Sequence, residues 1–345
     1  MPEYYDGTKI LSLKDRNGNT PEIYMVTSNR NAGKTTYFGR LLVNRFLKNN
    51  EKFCLLYRFN YELDDCAASF FKVLGELFFP GYEMTSLKMA RGIYHVLMLN
   101  GVPCGYAIAL NNADQIKRKS ALFSDVCAML FDEFQSETNH YCPDEVKKFI
   151  SVHTSIARGN GKQVRYVPVY MLSNTVSLLN PYYVEMGVCD ILDIETNFLR
   201  GVGYVIEQGY NESASTAQKD SAFNMAFSGN SYIDYAAQKT YLKDSMAFIE
   251  KPKGKFKYIC TLKYMGHDYG IREFPELGII HCSPTADTKH PLRVCVTTDD
   301  HNVNYVMLKR NDFLLMNLRW FFEKGCFRFQ DLKSKQCVLT ALAYK

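Results

Sequence analysis

A polar segment, TSNRNAGKTT (Thr27–Thr36), is set between an apolar run and a helical pattern, and this juxtaposition constrains the fold more than any other feature. The run before it, Glu22-Ile23-Tyr24-Met25-Val26, carries β-branched and aromatic residues and reads as a buried strand. After it, Tyr37, Phe38, Leu41, Leu42, Arg45 and Phe46 keep helical spacing, and the helix is expected to end near Asn49-Asn50. Gly33-Lys34-Thr35 closes a loop of the pattern G-x-x-x-x-G-K-[ST], with Ser28 at the first glycine position. Strand, loop and helix in this order aim backbone N–H groups and a positive helix end at phosphate oxygens. The candidate nucleotide-binding loop is Ser28, Asn29, Arg30, Asn31, Ala32, Gly33, Lys34, Thr35 and Thr36. Lys34 would reach the β- and γ-phosphates, and the Thr35 hydroxyl would hold Mg²⁺. Asn29, Asn31 and Gly33 tolerate unusual backbone angles, which offsets the freedom lost at Ser28.

A second motif, CAMLFDEF (Cys127–Phe134), delivers Asp132 at the carboxyl end of another apolar strand. Asp132 fits a Mg²⁺-holding role beside the phosphate loop. Glu133, one residue on, points the other way and can polarise an attacking water. A third segment, MLSNT (Met171–Thr175), ends the next strand, and its Ser173 and Asn174 are candidates for contact with the γ-phosphate or the water. Arg158 precedes a Gly-Asn-Gly loop, where an exposed arginine can enter a neighbouring subunit's site. QIKRKS places Lys117, Arg118 and Lys119 in a loop before the Asp132 strand.

The 345 residues suffice for two domains with real cores. Strands at 53–57 and in DVCAMLFDEF and VPVYMLSNT, a helix at 67–78, and a hairpin turning at Asn100-Gly101 point to an α/β, mostly parallel sheet. After Arg200, residues 201–250 are rich in Gly, Ser, Ala and Asn and short of strong strands, so they read as a linker or helical subdomain. Short strands at 256–264, 269–274, 278–282 and 293–297, then a helix at 312–324 stopping at Gly325, give a second, α+β domain over 251–345. Eleven cysteines without a C-x-x-C pair argue against zinc and for a reducing compartment. No apolar stretch reaches membrane-span length, so no membrane partner is expected. A net charge of +5 permits a polyanionic partner without demanding one.

TSNRNAGKTTYFGR, FCLLYRFNYEL, IKRKSALFSDVCAMLFDEF and YMLSNTVSLLNPYY together resemble the DNA encapsidation ATPases of small podovirus-type tailed phages, over roughly residues 20 to 190. The resemblance implies an ASCE-type P-loop ATPase at 1–200 that uses ATP and Mg²⁺. It implies a homopentameric ring on the portal, or connector, of an empty capsid, driving double-stranded DNA inward. A packaging RNA is a further implied partner. The protein would act in the host cytoplasm, transiently on the procapsid. By matching position, Lys34, Thr35, Asp132 and Glu133 take the two Walker roles and Asn174 the coupling role. Arg158 falls at the family's trans-acting arginine, and Lys119, or Lys117, near its trans-acting lysine. The family's basic run after the second strand leaves Arg58 here, with Asn60 at a lysine-like position of a DNA or lid contact.

In related packaging motors the second domain has an RNase H-like nuclease shape. Here its first strand, KFKYICTLKY, carries no carboxylate, and Asp268, Asp299 and Asp300 are expected in turns. The domain therefore reads as a vestigial nuclease without nuclease activity, kept for DNA, portal or RNA contact. Lys255, Lys257, Lys263 and Arg272 suit a nucleic-acid backbone. Competing functions are a non-motor nucleotide switch or scaffold and a helicase-like NTPase.

Overall fold

The computed structural model describes residues 4–64, 68–138, 140–159, 161–189, 191–192, 195–227, 230–237, 241–242, 244 and 247–343. The chain divides into two compact units, Met1–Lys243 and Asp244–Lys345.

Nine strands build the sheet of the first unit: β1 (Ile23–Ser28), β2 (Lys52–Tyr57), β3 (Met84–Met89), β4 (Tyr94–Leu99), β5 (Val102–Ala109), β6 (Val126–Asp132), β7 (Val169–Asn174), β8 (Phe198–Arg200) and β9 (Tyr204–Gln208). Their order is β3-β4-β5-β2-β6-β7-β1-β9-β8. The six strands from β5 to β9 run parallel. Antiparallel pairs close both edges. β1, β2, β6 and β7 are buried along nearly their whole length, which is why they read as continuous apolar runs. The helix Lys34–Asn49 sets Phe38, Leu42 and Val43 into the core that includes Tyr24, Val26, Leu130, Tyr170 and Leu172. It stops at Asn50, whose φ of 58° is left-handed. Between β4 and β5, Asn100 and Gly101 both take positive φ, 48° and 75°, as a type I′ turn requires.

The sequence reading ended this domain at Arg200, and the sheet continues past it. β9 pairs in parallel with β1, in register from Ile23 against Tyr204 to Thr27 against Gln208. YVIEQ is a short, mixed stretch between glycine-rich neighbours, and its tertiary partner, not its own propensity, makes it a strand. NESASTAQKDSAFNMAF forms two short helices, Glu212–Lys219 and Ala222–Ala226, capped by the side chains of Asn211 and Ser221.

The second unit holds β10 (Lys257–Tyr264), β11 (His267–Phe274), β12 (Ile279–Ser283), β13 (Arg293–Cys295), β14 (Val306–Met307) and β15 (Phe327–Phe329), in the order β14-β13-β10-β11-β12-β15. β10, β11 and β12 form an antiparallel meander. β13 lies parallel to β10, and β14 to β13. With β15 set aside, this is the strand order and direction of an RNase H-like sheet. Helices Asp312–Glu323 and Leu332–Ala343 contribute Leu314, Leu315, Leu318, Cys337, Val338 and Ala341 to its core.

One carboxylate here departs from expectation. Asp268 lies within β11, where it accepts from the Tyr305 hydroxyl at 2.7 Å and pairs with Lys263 at 3.3 Å. Asp300 sits in a short turn as expected, yet it is buried, accepting the Met265 and Gly266 N–H groups at 2.8 Å each and the Thr297 hydroxyl at 2.6 Å. It ties down the β10–β11 hairpin. Of the four basic residues, Lys255 and Lys257 are exposed. Arg272 is instead sandwiched between the Phe256 and Tyr258 rings at 5.3 and 5.2 Å.

Candidate nucleotide site

The loop after β1 resolves the substitution at Ser28. Ser28 is the last residue of β1, paired with Asn174 of β7, and its backbone is ordinary strand. The left-handed conformations fall at Asn31, with φ 60°, and Gly33, with φ 93°. Asparagine and glycine are the residues that take them most readily. The Ser28 side chain has a use of its own: its Oγ accepts from Lys34 Nζ at 2.8 Å. Lys34 Nζ also lies 3.3 Å from the Asn29 carbonyl and 3.4 Å from that of Ser28. Burial lowers the Lys34 ammonium to about 8, against the opposing pull of Asp132 and Glu133.

Asp132 ends β6 and lines the cleft with Thr35. Burial pushes its carboxyl above the usual range, opposed by the Thr35 side chain and by Lys34. Glu133 follows with φ 54°, a left-handed conformation that a glutamate rarely adopts. Its carboxyl is also raised, by burial and then by the charges of Asp132 and Glu137. A cleft of about 870 Å³ is lined by Arg30 through Tyr37 together with Asp132, Glu133, Ser173 and Asn174. It extends to Tyr4, Arg40, Leu77 and Phe78, so it has a polar end and an apolar end. The polar end holds a buried cation, a half-buried acid and an exposed one, each with its charge disfavoured. A polyphosphate with a divalent cation would satisfy all three, since the phosphates need the lysine and the cation needs the acids.

Sequence reasoning missed a carboxylate hub beside this cleft. Glu137 accepts two bonds from Arg30 Nη2, at 2.8 and 2.9 Å, and one from Arg30 Nε at 3.2 Å. The Tyr235 and Tyr232 hydroxyls donate to it at 2.8 and 3.2 Å, and Asn174 Nδ2 at 3.3 Å. The two tyrosines come from the helix Ser231–Ala237, and the Ala236 carbonyl accepts from Arg30 N–H at 3.3 Å. Burial works against the Glu137 charge, but the hydrogen bonds from Tyr235 and Arg30 outweigh it and hold the carboxyl below its usual range.

Arg58 does not offer the surface contact that its place in the basic run implied. It is buried, with Nε 2.8 Å from the Glu145 carboxylate, and the two side chains are only 7% and 2% exposed. Its Nη2 donates to the carbonyls of Glu133 and Phe134 at 3.1 and 2.9 Å. Losing one partner of such a pair typically costs about 3–5 kcal/mol.

Lys117 lies in a helix, Ala113–Arg118, with Lys119 at its C-terminal cap, so QIKRKS is not the loop that the charge run indicated. The apolar pair Ala113 and Ile116 buries one side of this turn and makes it helical. The helix packs against Glu145–Ile156, and Arg158 follows that second helix by two residues. Arg158 is exposed, and Gly159 and Lys162 after it exchange backbone hydrogen bonds; Asn160 of the expected Gly-Asn-Gly loop lies outside the described residues. None of Lys117, Lys119 and Arg158 lines the chain's own cleft.

The family model described as podovirus DNA encapsidation protein matches residues 2–343. The DNA packaging protein of Bacillus phage phi29 is 27% identical over 332 residues, covering 95% of this chain and 93% of that protein. That of Bacillus phage B103 is 24% identical over 308 residues, covering 88% and 90%. A chain of the bacteriophage Phi-29 viral genome packaging motor assembly shares the fold, with a TM-score of 0.72 at 23% identity over 98% of this chain and 99% of that one.

Proposed function

Because the chain belongs to the podovirus DNA encapsidation protein family and is a genome-packaging ATPase, we propose that its cleft hydrolyses ATP to drive double-stranded DNA into a preformed capsid. The observation that carries this reading is the convergence of Lys34, Thr35, Asp132, Glu133 and Asn174, from three adjacent strands, on one cleft. Lys34 would leave Ser28 for the β- and γ-phosphates. The loop N–H groups from Asn29 to Lys34 would cradle the phosphate oxygens. Thr35 and Asp132, which line the same end of the cleft, would hold Mg²⁺, whose chemistry there is to neutralise charge on the leaving phosphates. Glu133 would orient the attacking water, and its raised carboxyl suits a group that accepts a proton. Asn174 reports between the cleft and Glu137.

Arg158 and Lys119 lie outside their own cleft, which supports their acting on a neighbouring subunit. The working form is then a ring, a pentamer on the family pattern, seated on the portal of a procapsid in the host cell. A packaging RNA and a vestigial, non-cutting second unit complete the proposal. The test is packaging of double-stranded DNA into purified empty capsids with this protein and ATP. Nuclease-protected DNA should accumulate with the native chain and not with Lys34→Ala. Robust ATP turnover with no protected DNA would instead favour the non-motor switch.

A further inference from the structure

The most heavily constrained charged group near the cleft is one that does not line its main volume. Arg58 follows β2 by one residue, and its guanidinium is enclosed by the Tyr141 ring at 4.9 Å and the Phe131 ring at 5.8 Å. Three of its five N–H bonds have partners. Nε–H goes to Glu145 at 2.8 Å, and the two N–H bonds of Nη2 go to successive carbonyls, those of Glu133 and Phe134. Glu145 is equally committed, accepting the Cys142 N–H at 2.9 Å and the Tyr182 hydroxyl at 3.0 Å.

The two carbonyls lie on the C-terminal side of a single feature. Glu133 is left-handed, at φ 54°, which costs free energy for a residue with a long side chain. On its other side, the Glu133 N–H donates to Asp132 Oδ1 at 3.0 Å, and Phe134 N–H donates to the Leu172 carbonyl of β7 at 3.1 Å. The strained residue is thus pinned from both ends. A buried ion pair by itself is weak evidence for stability, because well-packed apolar side chains usually do as well. Its place here, bonded to the strained residue of the cleft's acidic end, points to another role. Small displacements of a water-orienting group are expensive in rate: about 1 Å can cost 10²-fold.

We propose that the buried Arg58–Glu145 pair is the positioning element of the hydrolytic step, holding the backbone turn that aims Glu133 into the cleft. Arg58 and Glu145 are positioning residues, acting through the Glu133 backbone. The inference rests on the reading of Glu133 as the group that orients water. The planar fork of arginine is essential to it, since a lysine could serve the carboxylate or the carbonyls but not all three acceptors.

The experiment measures single-turnover ATP hydrolysis and ATP affinity on the full chain, at concentrations where rate per chain no longer rises. Arg58→Lys and Glu145→Gln should each lower the rate at saturating ATP by at least ~10-fold, approaching ~10²-fold, with ATP affinity within about threefold of native. The double variant Arg58→Met, Glu145→Met removes the charges together, so it should fold even where single variants do not. It should show the same loss. The deciding readout is the combination with Glu133→Gln: placed on that background, Arg58→Met with Glu145→Met should add little further loss, because the group it positions is already disabled. Native rates in the folded double variant, or losses that multiply with that of Glu133→Gln, would overturn the inference and leave the pair as fold support. Should Glu133→Gln alone turn over normally, the underlying reading fails, and the positioning role fails with it.

Discussion

Ser28 shows how a motif residue can depart from its pattern without disturbing the loop's backbone. The loop needs freedom of backbone angle at Asn31 and Gly33, and Ser28 is strand. Ser28→Gly should therefore leave ATP affinity within about threefold of native. Lys34→Ala should weaken it by roughly 10²-fold, the scale of charge-assisted contacts to phosphate. Equal losses in the two, by nucleotide titration, would show that Ser28 does more than rest against Lys34. Glu133→Gln should separate binding from turnover: ATP is retained, and hydrolysis falls by at least ~10²-fold. Normal hydrolysis there would remove Glu133 from the mechanism. That Lys34, Thr35, Asp132 and Glu133 share one cleft was legible because each sits within a few positions of the strand that delivers it. Arg58, Glu137 and Glu145 were not, because their side-chain partners lie 37 to 107 positions away in sequence. A lone arginine or glutamate carries no local sign of its partner.

The helix Ser231–Ala237 is the element whose role most outruns its sequence. Its residues read as linker, and it delivers Tyr232 and Tyr235 to Glu137, and through Glu137 to Arg30 and Asn174. The strands of the parallel core were legible from their unbroken apolar runs, as was the Asn100-Gly101 hairpin from its turn residues. β9 was not, since a five-residue strand beside glycines is made by the partner waiting for it in β1. The hub gives this element a pH signature. The Glu137 carboxyl is held below its usual range by Tyr235 and Arg30 against the effect of burial. A depressed carboxylate contributes stability above its unfolded-state value and loses it as pH falls through the folded one. Relative to Glu137→Gln, the native chain should thus be more stable at pH 7, and the difference should shrink below about pH 4. Denaturant midpoints of the two proteins at pH 7 and pH 3.5 measure this. A difference that is constant with pH would mean that the Glu137 charge contributes nothing to the fold.

At the scale of the whole molecule, the chain's charge is mild, so contact with DNA must be local. Binding to double-stranded DNA should be independent of sequence and weaken steeply with salt, since basic side chains that neutralise phosphates release counterions. A strong preference for one sequence at physiological salt would contradict a translocase. Assembly is the larger question, and the placement of Arg158 frames it. The residue is exposed two positions beyond the helix Glu145–Ile156 and outside the cleft of its own chain. If it completes a neighbour's site, charge on the transferred phosphoryl group is stabilised only at an interface. Arg158→Ala should then bind ATP nearly as the native chain does and hydrolyse it ~10³-fold more slowly. Lys119→Ala should act in the same direction and more mildly, because an ammonium is a point charge without the arginine fork. The decisive measurement is mixing. Arg158→Ala chains keep Glu133, and Glu133→Gln chains keep Arg158. A mixed ring therefore contains interfaces where an intact Glu133 meets an intact Arg158. Two proteins that are each nearly inactive should recover ATP hydrolysis together, in proportion to such interfaces. If mixed rings form and no activity returns, Arg158 does not act between subunits, and the basis for a ring in which each subunit completes its neighbour's site is removed.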